Sequence, residues 1–146
     1  ALAVYQLAAV VSRPIWGWLA DQHVSAKSLL TWQGFLMGAT ALIAGQFAAA
    51  WAQWLVLIVC AVAGATASGF TGLAYAEWAR LGGAKRTEAT GLGSGLMFAG
   101  VLLMPSVFSI AVTFFDDYGL AYGCAGALAA LAGLLLALPK KREKNR

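Results

Sequence analysis

An arginine, a glycine and an aspartate lie close together at the end of the first apolar segment of this sequence. Residues 12–21 read SRPIWGWLAD, which places Arg13 and Asp21 where a membrane-spanning helix would approach water. Ionisable groups are costly inside a bilayer and commonly mark a solute, ion or proton pathway. Arg13 and Asp21 are therefore candidate functional residues, and their role depends on the helices that position them.

No pattern in the sequence is typical of an enzyme. The single histidine, His23, stands beside Asp21 without a second ligand at metal-binding spacing, which favours a solvated loop residue. Cys60 and Cys124 lie in apolar stretches, where small hydrophobic packing residues are expected. The glycine-rich residues 91–95 lack the lysine of a phosphate-binding loop. We therefore predict neither catalysis nor a metal or other cofactor.

The composition is that of an integral membrane protein. Hydrophobic residues make up 61% of the 146 positions and charged residues only 11%, whereas a soluble domain carries about 25% charged residues. Each crossing of the hydrocarbon layer requires roughly 20 residues of helix. The sequence therefore predicts an all-α, polytopic membrane helix bundle.

Five spans are predicted within a bundle that covers residues 1–138. They are residues 1–19, 28–48, 53–76, 91–114 and 118–138. Residues 28–76 contain no charged side chain, and as one helix they would be about 73 Å long, too long for a single crossing. We expect a hairpin there, with its turn near residues 48–53, where Trp51 and Trp54 suit a membrane interface.

The distribution of charge predicts an orientation. All ten lysine and arginine residues fall near the same ends of the predicted spans, and the opposite connections carry only Asp116 and Asp117. Positive residues favour the cytoplasmic side, so the basic loops, and residues 139–146 as a basic tail, are predicted to be cytoplasmic. The net charge of +4 is thereby explained without a nucleic-acid partner.

Small residues and prolines indicate how the spans pack. Small residues spaced four apart let helix backbones approach closely in lipid, and they occur as Gly34/Gly38, Gly64/Ser68/Gly72, Gly91/Gly95 and Gly119/Gly123. Pro105 is expected to kink or loosen the fourth span. An odd number of spans, and a start at Ala1 inside an apolar segment, favour a fragment of a longer protein.

Residues 17–21, Gly-Trp-Leu-Ala-Asp, followed by Lys27, resemble the G-x-L-A-D-R-x-G-R-K signature of the major facilitator superfamily. That signature joins the second and third helices of each six-helix half. Its later positions differ here, as is usual in the second half of these transporters. The resemblance implies a partial C-terminal half, helices eight to twelve of twelve, and transport by alternating access.

Arg13-Pro14-x-x-Gly17 is similar to a stretch of helix eight in monocarboxylate transporters and oxalate–formate-type exchangers. In those families the arginine faces the central cavity and binds the carboxylate of the solute, a task that suits a planar guanidinium. Two features differ: Ala9 replaces the aspartate of the monocarboxylate family, and the fourth span has no lysine. The alternative is that Arg13 anchors the helix at the cytoplasmic interface.

The resemblance also implies that helices eight, ten and eleven line the cavity. Gln6, Thr66 and Ser106 lie on the corresponding spans and are predicted contacts of the solute. The alternative for the two hydroxyl groups is hydrogen bonding to backbone or to a neighbouring helix, as is common in membrane helices.

Four residues are assigned to gating or structure. Gly17 is expected to permit close helix approach, and Asp21 to bind the N-terminal amides of a neighbouring helix. Glu77 and Arg80, three residues apart, are expected to form an ion pair at the cytoplasmic rim. In its functional form this pair would be a gate that opens during transport.

The sequence thus predicts secondary active transport of a small organic anion, such as a monocarboxylate, across a bacterial inner (plasma) membrane. Its partners would be the solute, the lipid bilayer and the N-terminal half of the same transporter, with no nucleic acid. One alternative is a transporter or exporter of neutral or cationic solutes in which Arg13 is structural. Another is a small accessory membrane protein without transport activity.

Overall fold

The computed structural model describes residues 1–138, which contain six α-helices, one short 3-10 turn at Gly83–Lys85 and no strand. The helices are α1 (Leu2–Gln22), α2 (Ala26–Ala44), α3 (Gln53–Ala67), α4 (Phe70–Gly82), α5 (Arg86–Phe115) and α6 (Tyr118–Ala137). The predicted all-α class is confirmed. The predicted basic tail, residues 139–146, lies outside the described residues.

Judged by helix length and hydropathy, the structure does not contain the five separate membrane spans that the sequence predicted. Over the described residues, two helical segments could cross a membrane, Gln53–Phe115 and Tyr118–Ala137. The first has 63 residues, roughly 95 Å at 1.5 Å per residue, so it is long enough for several crossings. It contains α3, α4 and α5, which follow one another with short interruptions. The helices α1 and α2 are less hydrophobic than these two segments, because they carry Arg13, Lys27 and uncharged polar side chains.

The third predicted span, residues 53–76, is two helices rather than one. The first of them, α3, ends at Ala67, and α4 begins at Phe70, with a turn at Ser68 and Gly69 between them. The predicted turn near residues 48–53 is present as the irregular stretch between α2 and α3. There the rings of Phe47 and Trp51 pack edge to face, with their centroids 5.3 Å apart.

Two adjacent aspartates, Asp116 and Asp117, mark the end of α5 and the start of α6. Asp117 caps α6, and its Oδ1 accepts hydrogen bonds from the backbone N–H groups of Gly119 at 2.7 Å and Leu120 at 3.3 Å. A carboxylate at this position satisfies amides that lack partners in the first turn. The preceding Asp116 has a left-handed backbone with φ of 50°, which ends α5 and reverses the chain.

Glycines let α2 and α6 approach closely. A Cβ at Gly34 would lie 2.8 Å from Gly133 Cα, and one at Gly38 would lie 2.9 Å from the carbonyl oxygen of Gly126. The predicted close packing through Gly34 and Gly38 is therefore observed. The opposite side of α2 packs against α3 and α4, while α1 lies mainly on α3 and α4.

On α5 the predicted packing pair, Gly91 and Gly95, does not face a neighbouring helix of the described chain. A Cβ at Gly91 or Gly95 would meet no atom within 4 Å, so neither residue mediates packing among the described residues. The buried glycine is Gly93, which lies under the indole of Trp78 from α4. Because residues two apart lie on nearly opposite sides of a helix, the contact that uses Gly93 turns the predicted pair outward.

The surface of the described bundle is strongly apolar. Gly93 is the only buried residue of α5, and large side chains such as Leu102 and Phe114 are almost fully exposed. An apolar surface of this extent is typical of helices that contact lipid or another protein surface. The bundle is thus built to be surrounded by an apolar environment.

Candidate functional site

One face of α1 packs against α3. Tyr5, Ala9, Ser12 and Trp16 follow the spacing of a single helix face, and Ala9 and Ser12 are buried. The backbone of Tyr5 lies directly against Gly64 of α3. This contact fixes the rotation of α1 about its own axis, and therefore determines which side chains of α1 remain free.

A second face of α1 is polar and free. Gln6, Val10, Arg13, Gly17 and Asp21 recur at spacings of three and four residues, and all five are exposed. We call these five residues the polar face. Because these side chains lie on one stripe of the helix, Gln6 and Arg13, two of the predicted solute contacts, share this face about two turns apart.

A third face of α1 carries exposed apolar side chains. Leu7, Val11, Ile15 and Trp18 lie beside the polar face and carry no charge. The helix therefore has a packed face, a polar face and an apolar face, and the last two meet along its length. A helix with this pattern suits a position between a water-filled space and an apolar environment.

Arg13 has no counter-ion within the described chain. The ion pairs found among residues 1–138 are Glu77–Arg80 and Lys85–Glu88. A guanidinium offers five donors in a planar fork, and at Arg13 this fork is exposed. The guanidinium of Arg13 can therefore donate hydrogen bonds to an anionic group from outside the described residues.

Thr66 and Ser106 do not join the polar face. The side chain of Thr66 is 1% exposed, and its hydroxyl donates to the carbonyl oxygens of Val62 at 2.9 Å and Ala63 at 3.2 Å. This matches the alternative in which the hydroxyl bonds to its own helix. Ser106 is exposed on α5, which packs against α4 and α6.

Glu77 and Arg80 form the predicted ion pair near the end of α4. The guanidinium donates to both carboxylate oxygens, with 2.8 Å between Nε and Oε2. The Glu77 side chain is 7% exposed, whereas that of Arg80 is 64% exposed. The buried carboxylate of Glu77 is thus paired with the guanidinium of Arg80, which remains largely exposed.

Gly17 and Asp21 do not make the contacts predicted for them within residues 1–138. A Cβ at Gly17 would meet no atom within 4 Å. Asp21 is exposed, and neither ion pair of the described chain involves it. Both residues belong to the polar face, so any close approach at Gly17 would involve a surface outside the described chain.

Gln33 is a buried polar residue that the sequence analysis missed. Its side chain is 1% exposed, and neither its Oε1 nor its Nε2 has a hydrogen-bond partner among the described residues. It lies four residues after Leu29 and seven before Thr40, both also buried. This spacing puts all three on one face of α2, and is the only sequence signal that could have indicated the burial.

An apolar groove of the described chain lies away from the polar face. It has a volume of about 760 Å³ between α5 and α6 and is lined by apolar residues such as Met104, Phe108 and Leu128. None of the predicted solute contacts lines it. A groove without polar groups cannot orient a charged solute, so it does not compete with Arg13 as an anion site.

Comparison with known proteins gives one match. The family model described as Major Facilitator Superfamily matches residues 1–146. No curated protein and no solved structure shows a significant match to the chain. The family match extends over all six helices, and so does not depend on residues 17–21 alone.

Proposed function

The chain belongs to the Major Facilitator Superfamily, a family of membrane transporters, and from this membership we propose that it helps to carry a small organic anion, such as a monocarboxylate, across a membrane by alternating access. Arg13 binds the carboxylate of the solute, and Gln6 adds a hydrogen bond from the same face. Ser106, exposed on α5, is a secondary candidate, whereas Thr66 on α3 is buried and bonded to its own helix.

The observation that carries this proposal is the exposed guanidinium of Arg13 on the polar face, which has no ion-pair partner among residues 1–138. Arg13 lies eight residues before Asp21, which is about 12 Å along the helix. A charge at that depth is stabilised by water or by an anion far better than by lipid. Water or an anion could reach the guanidinium from the polar face, because Arg13 and its neighbours Val10 and Gly17 are all exposed.

The same proposal includes an arrangement in the membrane. The helices α1, α2, α5 and α6 each cross the bilayer once, and α3 with α4 makes one broken crossing. The basic ends and the C-terminus then face the cytoplasm of a bacterial inner membrane. Lys27 Nζ donates to the carbonyl oxygen of Leu138 at 3.0 Å, which supports placing the start of α2 and the end of α6 on one side.

The proposal assigns the opposing half of the same transporter to the polar face. Gly17 and Asp21 would contact that half, because they have no close partner in the described chain. The open side of the Arg80 guanidinium would reach the same half. In this arrangement Glu77 holds Arg80 at the rim, and the contact of Arg80 across the two halves forms and breaks as a gate.

The competing function is transport of a neutral or cationic solute, with Arg13 as an interfacial anchor. The observation in its favour is that Arg13 is exposed and no ion pair among residues 1–138 fixes the position of its side chain. A long side chain of this kind can extend toward the interface and keep its charge hydrated. A small accessory membrane protein is the remaining alternative, and it predicts no solute flux at all.

The test is uptake of radiolabelled lactate by the full-length protein in proteoliposomes, with Arg13→Ala and Arg13→Lys as variants. We expect Arg13→Ala to abolish uptake and Arg13→Lys to retain a fraction of it, because a lysine keeps the charge without the planar fork. Arg86→Ala, which removes an exposed arginine at the start of α5, is the matched control. Wild-type rates in both Arg13 variants, or no carboxylate uptake by the wild-type protein, would refute the anion proposal.

A further inference from the structure

The break between α3 and α4 leaves the backbone carbonyl of Ala65 without its helical partner. In an uninterrupted helix, the carbonyl oxygen of Ala65 would accept the N–H of residue 69. Here the regular bonding ends with the N–H of Ser68, which donates to Gly64 O at 3.2 Å, and the chain turns at Ser68 and Gly69. A carbonyl left without its helical partner inside a bundle needs another donor.

Two side chains of α1 supply that donor. The indole Nε1 of Trp16 donates to Ala65 O at 2.8 Å, and Ser12 Oγ donates to the same oxygen at 3.1 Å. The Ser12 hydroxyl also lies 3.3 Å from Ala9 O of its own helix, so its single proton is shared between two acceptors. Trp16 is therefore the stronger of the two partners.

Gly69 permits this contact. A Cβ at Gly69 would meet both the carbonyl oxygen of Ala65 and the indole of Trp16, lying 2.6 Å from its Nε1, a distance that real Cβ atoms do not adopt. The indole therefore lies directly against the turn, where a larger residue would displace it. By contrast, a Cβ at Gly72, one turn further along α4, would meet nothing within 4 Å.

The contact connects the two parts of the proposed transport site. Ser12 and Trp16 lie one residue before and three residues after Arg13, on the packed side of the same helix. Beyond the break, α4 carries Glu77 and Arg80 near its end. A rotation or shift of α1 that moves Arg13 must therefore also move the donors that hold Ala65.

We propose that the turn at Ser68 and Gly69 is a hinge between α3 and α4, and that Trp16, assisted by Ser12, is the positioning residue that couples this hinge to α1. Its coupling to the transport cycle rests on the function proposed above. The hinge itself rests only on the hydrogen bonds to Ala65 and on the approach of the indole to Gly69.

The first test measures the hinge without any solute. Hydrogen–deuterium exchange of the full-length protein in lipid nanodiscs is followed for the peptide that contains residues 64–74, in the wild type and in Trp16→Phe. We expect exchange of these amides to become about fivefold faster, the effect of losing one ordinary hydrogen bond. Trp18→Phe is the matched control, because Trp18 lies on the exposed apolar face of the same helix, and it should leave the exchange unchanged.

A second pair of variants perturbs the contact from the side of the hinge. Gly69→Ala should accelerate exchange in the same peptide, because its methyl group would push apart the indole and the Ala65 carbonyl that it bonds to, whereas Gly72→Ala should not. Equal exchange in Trp16→Phe and Trp18→Phe, or in Gly69→Ala and Gly72→Ala, would overturn the hinge.

The transport assay separates coupling from simple support of the structure. With lactate as the probe, Trp16→Phe should lower kcat at least fivefold with KM within twofold of the wild type, whereas Arg13→Lys should raise KM. Faster exchange with unchanged kcat would overturn the coupling and leave the bond as a structural contact only. Failure of the wild-type protein to carry lactate would refute the anion proposal, and the exchange measurement would still decide the hinge.

Discussion

Substitution of Gly34 by alanine tests the packing of α2 against α6. The new Cβ would lie 2.8 Å from Gly133 Cα, 3.0 Å from Gly133 N and 3.1 Å from Ala129 O. All three neighbours are backbone atoms, which cannot rotate away. To bring the nearest of them from 2.8 Å to an ordinary contact of at least 3.4 Å, α6 must move by about 0.6 Å.

That movement disturbs the whole seam, because Gly38 and Gly126 further along are equally close. Overpacking of this kind costs about 1–3 kcal/mol. We therefore expect Gly34→Ala to lower the free energy of unfolding by that amount. The measurement is unfolding of the full-length protein from mixed micelles as the mole fraction of sodium dodecyl sulfate rises, followed by tryptophan fluorescence.

Gly123→Ala is the matched control on α6. A Cβ at Gly123 would meet no atom within 4 Å, so this variant changes the same residue type without a clash. We expect its stability to equal or slightly exceed that of the wild type. If Gly34→Ala is as stable as Gly123→Ala, then α2 and α6 do not pack through these glycines, and the reasoning is wrong.

Two further substitutions test buried polar groups by the same unfolding measurement. Gln33→Met should raise stability by roughly 1 kcal/mol or more, because it removes two buried amide atoms that have no hydrogen-bond partner among the described residues; a loss of stability would show that the amide is bonded in the native protein. Arg80→Ala should destabilise more than Lys85→Ala, because only Arg80 is paired with a buried carboxylate; equal effects would contradict that difference.

The helical class could be predicted from the sequence because a bilayer admits few alternatives. A chain with 61% hydrophobic residues must satisfy its backbone within each segment, and helices do this locally. The break at Ser68 and Gly69 could not be predicted in the same way. Small residues also occur inside unbroken membrane helices, and here the turn depends on donors from Ser12 and Trp16, about fifty residues earlier in the chain.

Spacing alone also does not tell which face of a helix is packed. The pair Gly91 and Gly95 has the spacing expected of a packing motif, yet Gly93 between them is the residue that meets Trp78. The rotation of α5 about its axis is set by Trp78, whose position depends on α4. The choice between two plausible faces therefore requires the tertiary structure.

The candidate site was partly predictable for the same reason. Gln6 and Arg13 are seven residues apart, so helical periodicity alone puts them on one face. Whether that face is free depends on the contact of Ser12 and Trp16 with α3, which a single sequence does not reveal. Thr66 shows the converse, because its hydroxyl bonds to Val62 and Ala63 in its own helix.

The central claim is that the polar face of α1 lines an aqueous solute pathway while the neighbouring face does not. Val10 and Val11 are adjacent and similarly exposed, at 64% and 53%, but only Val10 belongs to the polar face. Cysteine is introduced at each position of the full-length protein after Cys60 and Cys124 have been replaced by alanine.

The measurement is the rate at which a membrane-impermeant maleimide modifies each new cysteine in proteoliposomes, with and without lactate. We expect rapid modification of Val10→Cys that lactate slows, and at least tenfold slower modification of Val11→Cys that lactate does not affect. Equal rates at the two positions, with no protection by lactate, would contradict the central claim.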